Sequence, residues 1–149
     1  MFTCLSQETV AREVAVAILD GMYPALVHDE SHQVMAFKEA FADILGLLQH
    51  FAMPGVLRHA IGRRGAPRSM AALLGELATR LGRASGNGGA LRDAVGTYDQ
   101  AMTWTRRVPD PTAFTRATDV AERGAVVVAA IFDAYVAVLE RRAEQMPRR

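Results

Sequence analysis

Cysteine is almost absent: Cys4 stands alone in 149 residues. A single thiol excludes an intramolecular disulfide and any multi-thiolate metal site. Lysine is equally scarce, because Lys38 is single and the sixteen other basic residues are arginines. No apolar run outlasts residues 125–132, far short of the roughly 20 residues that cross a bilayer. The first residues, Met1-Phe-Thr-Cys-Leu-Ser6, carry neither the basic start nor the apolar stretch of a signal peptide, so the cytoplasm is the expected compartment. Net charge is only +1, which offers no footing to nucleic acid or to an acidic membrane. Neither an internal repeat nor a low-complexity segment is present, and no stretch alternates at period two long enough to form a convincing strand.

What remains is apolar and helical in rhythm. Half of the residues are hydrophobic, enough for a sizeable core in one domain spanning 1–149. Arginine, alanine and glycine together suggest a GC-rich bacterial genome. The doublets Arg63-Arg64, Arg106-Arg107, Arg141-Arg142 and Arg148-Arg149 therefore read as solvated surface.

Ser6 caps a first helix to about Asp20, with Val10, Val14 and Ile18 repeating every fourth residue. Ser31 caps a second to about Phe51, with Val34, Phe37, Phe41, Ile44, Leu48 and Phe51 on one stripe. Pro54-Gly55 breaks it; a short segment over 56–61 and a loop over 62–67 follow. Ser69 opens a helix to about Leu81 that buries Leu73, Leu74, Leu77 and Leu81, and residues 85–89 form a turn. Helix is expected over 91–98, and an irregular stretch holds Trp104, Pro109 and Pro111. Thr118 or Asp119 caps a last helix to about Gln145. The fold class is all-α, one compact bundle-like domain.

The first two helices carry a paired signal. One reads Thr9-Val-Ala-Arg-Glu-Val-Ala-Val-Ala-Ile-Leu-Asp20, the other Met35-Ala-Phe-Lys-Glu-Ala-Phe-Ala-Asp-Ile-Leu-Gly46. Together they resemble the helical lobe of the thermolysin-like (gluzincin) zinc metallopeptidases, whose first helix has the pattern V-A-H-E-x-x-H-A-x-x-D and whose second carries N-E-A-x-x-D-I. In that family two histidines one turn apart hold zinc, the glutamate after the first is the general base, and the second helix supplies a third ligand and an orienting aspartate. The resemblance puts the base on Glu13, the third ligand on Glu39 and the orienting carboxylate on Asp43. Val10, Ala11, Ala17 and Asp20 also agree. Arg12 and Val16 stand where the histidines belong. A weaker alignment of residues 123–130 puts a transition-state histidine of the family at Ala121. The likeness is specific only over residues 9–51, and the family's β-rich lobe has no counterpart.

These substitutions have physical consequences. One carboxylate without imidazoles does not make a zinc site, so no metal and no cofactor are expected. A relocated site of Glu39, Asp43 and His50 is the alternative, against which aliphatic Val16 argues; His50 otherwise reads as a core or helix-end histidine. Three carboxylates converging without a cation repel one another. Arg12 is thus expected to point its planar fork at Glu39 or Asp43 and to tie the helices together in place of zinc, the alternative being an arginine in water. One arginine cannot neutralise all three acids, so one of Glu13, Glu39 and Asp43 is expected to stay protonated and able to act as a general acid.

Peptide hydrolysis by the family mechanism is excluded by the missing ligands. Three functions survive: a metal-free pocket doing acid–base chemistry (cyclisation, dehydration or isomerisation in bacterial biosynthesis) with Glu13, Glu39 and Asp43; a pseudo-peptidase that binds a ligand or protein without chemistry; or an accessory subunit. The expected partner is a small, largely apolar molecule, and a homodimer would cover the face of the lost lobe. Met22, Tyr23, Met35, Phe37, Trp104 and Tyr135 are either core or lining for that molecule, with Trp104 the expected pocket or lid residue.

Overall fold

A computed structural model describes residues 7–55, 69–84, 94–101 and 103–145. The expectations for Ser6, for residues 56–68 and 85–93, and for the burial of Leu81 lie outside the described residues. The elements are α1 (Gln7–Met22), a 3₁₀ turn (Pro24–Leu26), α2 (His32–Ala52), α3 (Met70–Ala84), β1 (Gly96–Tyr98), β2 (Trp104–Arg106), α4 (Pro111–Arg116) and α5 (Val120–Gln145). The class is all-α, with a single two-stranded hairpin among the described residues. No helix among them is long and apolar enough to cross a membrane.

Local chemistry sets the helix starts. The Ser31 hydroxyl accepts from Val34 N at 3.4 Å, and Ser69 Oγ accepts from Ala72 N at 3.2 Å. Asp110 caps α4 ahead of Pro111, accepting from Thr112 N at 2.9 Å. Asp119 accepts from Glu122 N at 2.7 Å, while Glu122 reaches back to Thr118 N at 3.1 Å. Each serves donors that a first turn leaves unpaired.

α2 is the central helix, packed on α1 along one side and α5 along another. α3, the hairpin and α5 close the rest of the core, in which Leu74, Val95, Trp104, Val128, Phe132 and Val136 are buried with Ala40, Leu47 and Phe51 of α2. Tyr135 stacks on Phe51, ring centroids 6.0 Å apart.

Three expectations need correcting. Where helix to residue 98 and irregular chain at Trp104 were expected, Gly96–Tyr98 and Trp104–Arg106 pair as a hairpin, registered Gly96↔Arg106, Thr97↔Thr105 and Tyr98↔Trp104. β-branched and aromatic residues cluster there, and Asp99 closes the turn by accepting from Thr103 N at 2.8 Å. On α1 the buried row is Ala15 and Leu19, whereas Val10, Val14 and Ile18 face outward; two apolar rows of four-residue spacing lie side by side, and the Ala15–Leu19 row is the one buried. On α2 the buried row is likewise alanine-rich (Ala36, Ala40, Ala42) and continues through Leu47 to Phe51. Val34, Phe41, Ile44 and Leu48 are half-buried, as are Leu73 and Leu77 on α3. Met22, Tyr23, Met35 and Phe37 are all substantially exposed, Phe37 resting on Phe41 at 6.1 Å between centroids.

Candidate functional site

Glu39 and Asp43 lie one turn apart on α2 and so share a face. Arg12, in the first half of α1, crosses to them. Its Nη2 donates to Glu39 Oε2 at 3.0 Å, and its Nη1 pairs with Asp43 Oδ1. Side-chain exposure falls from 48% at Glu39 through 23% at Arg12 to 0% at Asp43, so the guanidinium reaches from the surface into the interface. Gly46 lies alongside the Arg12 stem, where a Cβ would be in ordinary contact with Arg12 Cγ at 3.5 Å. A second pair, Lys38 Nζ to Asp20 Oδ1 at 2.7 Å, ties the end of α1 to an earlier turn of α2. The two contacts together fix the helices antiparallel.

The bridge is a consequence of burial. Asp43 without a partner would be a desolvated charge, and the delocalised guanidinium can neutralise it while leaving donors for Glu39. The structure thus brings Arg12, Glu39 and Asp43 together as expected. Glu13 does not join them. It is exposed on the next face of α1 and pairs with no described residue, so the expected convergence of three carboxylates reduces to two. Val16, one turn beyond Arg12, is half-buried. His50 is half-buried in the last turn of α2, about 10 Å along the axis from Asp43, too distant to complete a ligand set with it.

Trp104 is also corrected. It is neither lid nor pocket wall: a Cβ on Gly75 or Gly96 would come within 2.0 Å and 2.3 Å of the indole, which fits only because both residues are glycine. Its Nε1 donates to Thr79 Oγ1 at 3.0 Å, and Thr79 in turn donates to the Gly75 carbonyl at 2.9 Å. That pinned, buried indole belongs to the core. Arg106, expected in solvent, is half-buried and pairs with Asp133 of α5.

The implied zinc does not fit these residues. Among the described residues no group of three or more histidine, cysteine, aspartate or glutamate side chains could hold a metal. The two carboxylates that the family would commit to the zinc site both engage a cationic side chain.

An open cavity of about 440 Å³ lies elsewhere, between the segment leading into α4 and the first half of α5. Alanines make the room: Ala113 and Ala117 face Ala125 and Ala129, with Val126 beside them and Arg107, Asp110, Arg116 and Glu122 around the edge. Its acids are committed. Asp110 pairs with Arg116 and accepts from Thr112, and Glu122 accepts from Thr118 N. The Thr112 hydrogen bonds, with Arg116 adding, hold the Asp110 carboxyl below its ordinary value. Sequence reasoning missed this site. Its signal was the four-residue alanine spacing at 113/117 and 125/129, which reads as ordinary helix filler until two such rows face each other.

Compared with protein-family models, curated proteins and solved structures, the chain matches none.

Proposed function

We propose that this chain is a metal-independent binding protein, a non-peptidase relative of the thermolysin-like enzymes that takes up a small, largely apolar molecule without transforming it. The observation that carries this reading is the double engagement of Arg12. Two of the three carboxylates that acid–base chemistry would use are tied to one guanidinium, and the third, Glu13, faces solvent away from them. A general acid needs a proton it can give up within reach of a bound substrate. Among the described residues, the concavity beside α4 and α5, walled by alanines and edged by charged residues, has a size in the range of small-ligand pockets. Apolar walls would hold the body of the ligand, and the arginines at the edge would hold a polar end. The reading carries with it the bacterial, cytoplasmic setting that the composition suggests.

Titration of the full chain with an apolar fluorescent dye, 8-anilinonaphthalene-1-sulfonate, tests it. Saturable 1:1 binding is expected, lost in Val126→Trp, which fills the cavity from its wall. Absence of saturable binding, or binding untouched by that substitution, counts against the proposal.

A second reading keeps chemistry. Glu13 is an exposed carboxylate on α1 that pairs with no described residue. An acid–base enzyme built on it would lose turnover in Glu13→Gln with folding intact, whereas the binding reading predicts unchanged ligand affinity in that variant.

A further inference from the structure

α4 forms one wall of the alanine-lined cavity, and little of its own holds it in place. It has six residues, none of them buried, and among the described elements its principal neighbour is α5. A helix this short does not persist alone, because its few hydrogen bonds do not offset the ordering of its first turn. The Asp110 cap and the Asp110–Arg116 pair join one end of α4 to the other. They stabilise the helix without fixing where it lies. Position has to come from its neighbour.

Arg123, in the first turn of α5, supplies it. Its Nε donates to the Ala117 carbonyl at 3.2 Å, and its guanidinium lies over the Phe114 ring, 5.9 Å from the centroid. Ala117 ends α4 and is buried. The last carbonyls of a helix have no partner within it, and one on a buried residue needs a donor. Arg123 is that donor, a basic side chain answering a helix C-terminus. Phe114 is half-buried, and the attraction of a cation for a ring face grows as water is excluded. One side chain rooted in α5 thus holds both the last turn of α4 and the residue that ends it.

The residues it holds bear on the cavity. Ala117 lines it, and so does Ala113, whose carbonyl accepts from the Ala117 amide at 2.9 Å. The opposing wall, Ala125 and Ala129, belongs to α5. The width of the cavity is therefore the spacing of α4 from α5. Arg123 itself is not among the described residues that line it. We infer that Arg123 is a positioning residue for ligand binding: it latches α4 to α5 from outside the cavity and keeps the alanine walls at the separation a bound molecule needs. The inference rests on the ligand-binding proposal and names the residue that keeps that site in shape.

Titration of the full chain with 8-anilinonaphthalene-1-sulfonate, run beside hydrogen exchange at the Ala117 amide, tests it. Arg123→Met keeps the stem and removes the donor and the cation. It should weaken dye binding by about 10-fold and lower the protection of the Ala117 amide. The unfolding midpoint should stay close to that of the wild type, because α4 contributes no residue to the buried core. Arg123→Lys retains a donor for the carbonyl and a cation for the ring, and should bring binding back to within about 3-fold of the wild type. Should Arg123→Met fail to fold, Phe114→Leu takes its place and should weaken the dye by about 3-fold, since it removes the ring alone. Binding that Val126→Trp abolishes and the Arg123→Met or Phe114→Leu change leaves untouched overturns the inference while the binding reading stands. Equal losses in the methionine and lysine variants with Ala117 protection intact also overturn it, because the effect would then not run through α4. A wild type that binds no dye removes the binding reading, and this inference with it.

Discussion

The seam between α1 and α2 and the core under α3 and the hairpin hold together in different ways. At the seam, small side chains bring two helices close, and charge fixes how they lie: Arg12 with Glu39 and Asp43 at one point, Asp20 with Lys38 at another. Under α3, shape decides. Trp104 occupies space cleared by Gly75 and Gly96, and one indole donor is answered by one hydroxyl. A charged seam is specified by few residues and tolerates exposure on its outer side. A close-packed core is specified by volume and tolerates almost no change.

Substitutions on either side sharpen the contrast. Trp104→Ala should have the largest effect, a loss of about 3–5 kcal/mol of stability by chemical denaturation, because it opens a cavity and removes the indole donor from the buried Thr79 hydroxyl. Arg12→Ala should cost about 3 kcal/mol, the penalty of leaving Asp43 buried without its cation. Gly75→Ala should follow at about 1–3 kcal/mol, since the added methyl must displace the indole. Glu39→Gln should cost less than about 1 kcal/mol, because that carboxylate is half-exposed and water screens it. Equal costs for Glu39→Gln and Arg12→Ala would erase the distinction between the outer and inner halves of the bridge.

The weakest effect concerns the cavity edge. The Asp110 carboxyl is held below its ordinary value by the Thr112 hydrogen bonds. Its contribution is therefore complete above the unfolded value of about 3.9 and disappears as pH falls through the lower folded value. Protection of the Thr112 amide from exchange, taken relative to an unstructured chain at the same pH, should hold from neutral pH down to about 4 and fall only below it; a fall already near pH 6 would contradict the cap.

The sequence made some of this legible and hid the rest for physical reasons. Ser31, Ser69 and Asp119 announced their helices because a capping side chain acts on residues three positions away, and local chemistry is written locally. The Arg12 bridge was legible only through the resemblance, which set Arg12 in a ligand position opposite Glu39 and Asp43, carboxylates one turn apart on α2. The facing of α1 was not. Rows one position apart both keep four-residue spacing and both are apolar, so periodicity alone does not decide between Ala15 with Leu19 and Val14 with Ile18. The hairpin was hidden because three-residue strands are too short to show a period. Trp104 looked like a lid because its partners, Gly75 and Thr79, lie more than twenty residues earlier, in a different helix.

The account stands on one claim, that the Arg12 guanidinium and the Asp43 carboxylate form a single coupled unit between two helices. A double-mutant cycle with Arg12→Met and Asp43→Leu, read by equilibrium unfolding, measures it. The account predicts that each single change destabilises strongly and that the pair together restores most of the loss, a coupling of at least about 1.5 kcal/mol. Additive effects within about 0.5 kcal/mol would show that the two side chains act independently and would contradict it.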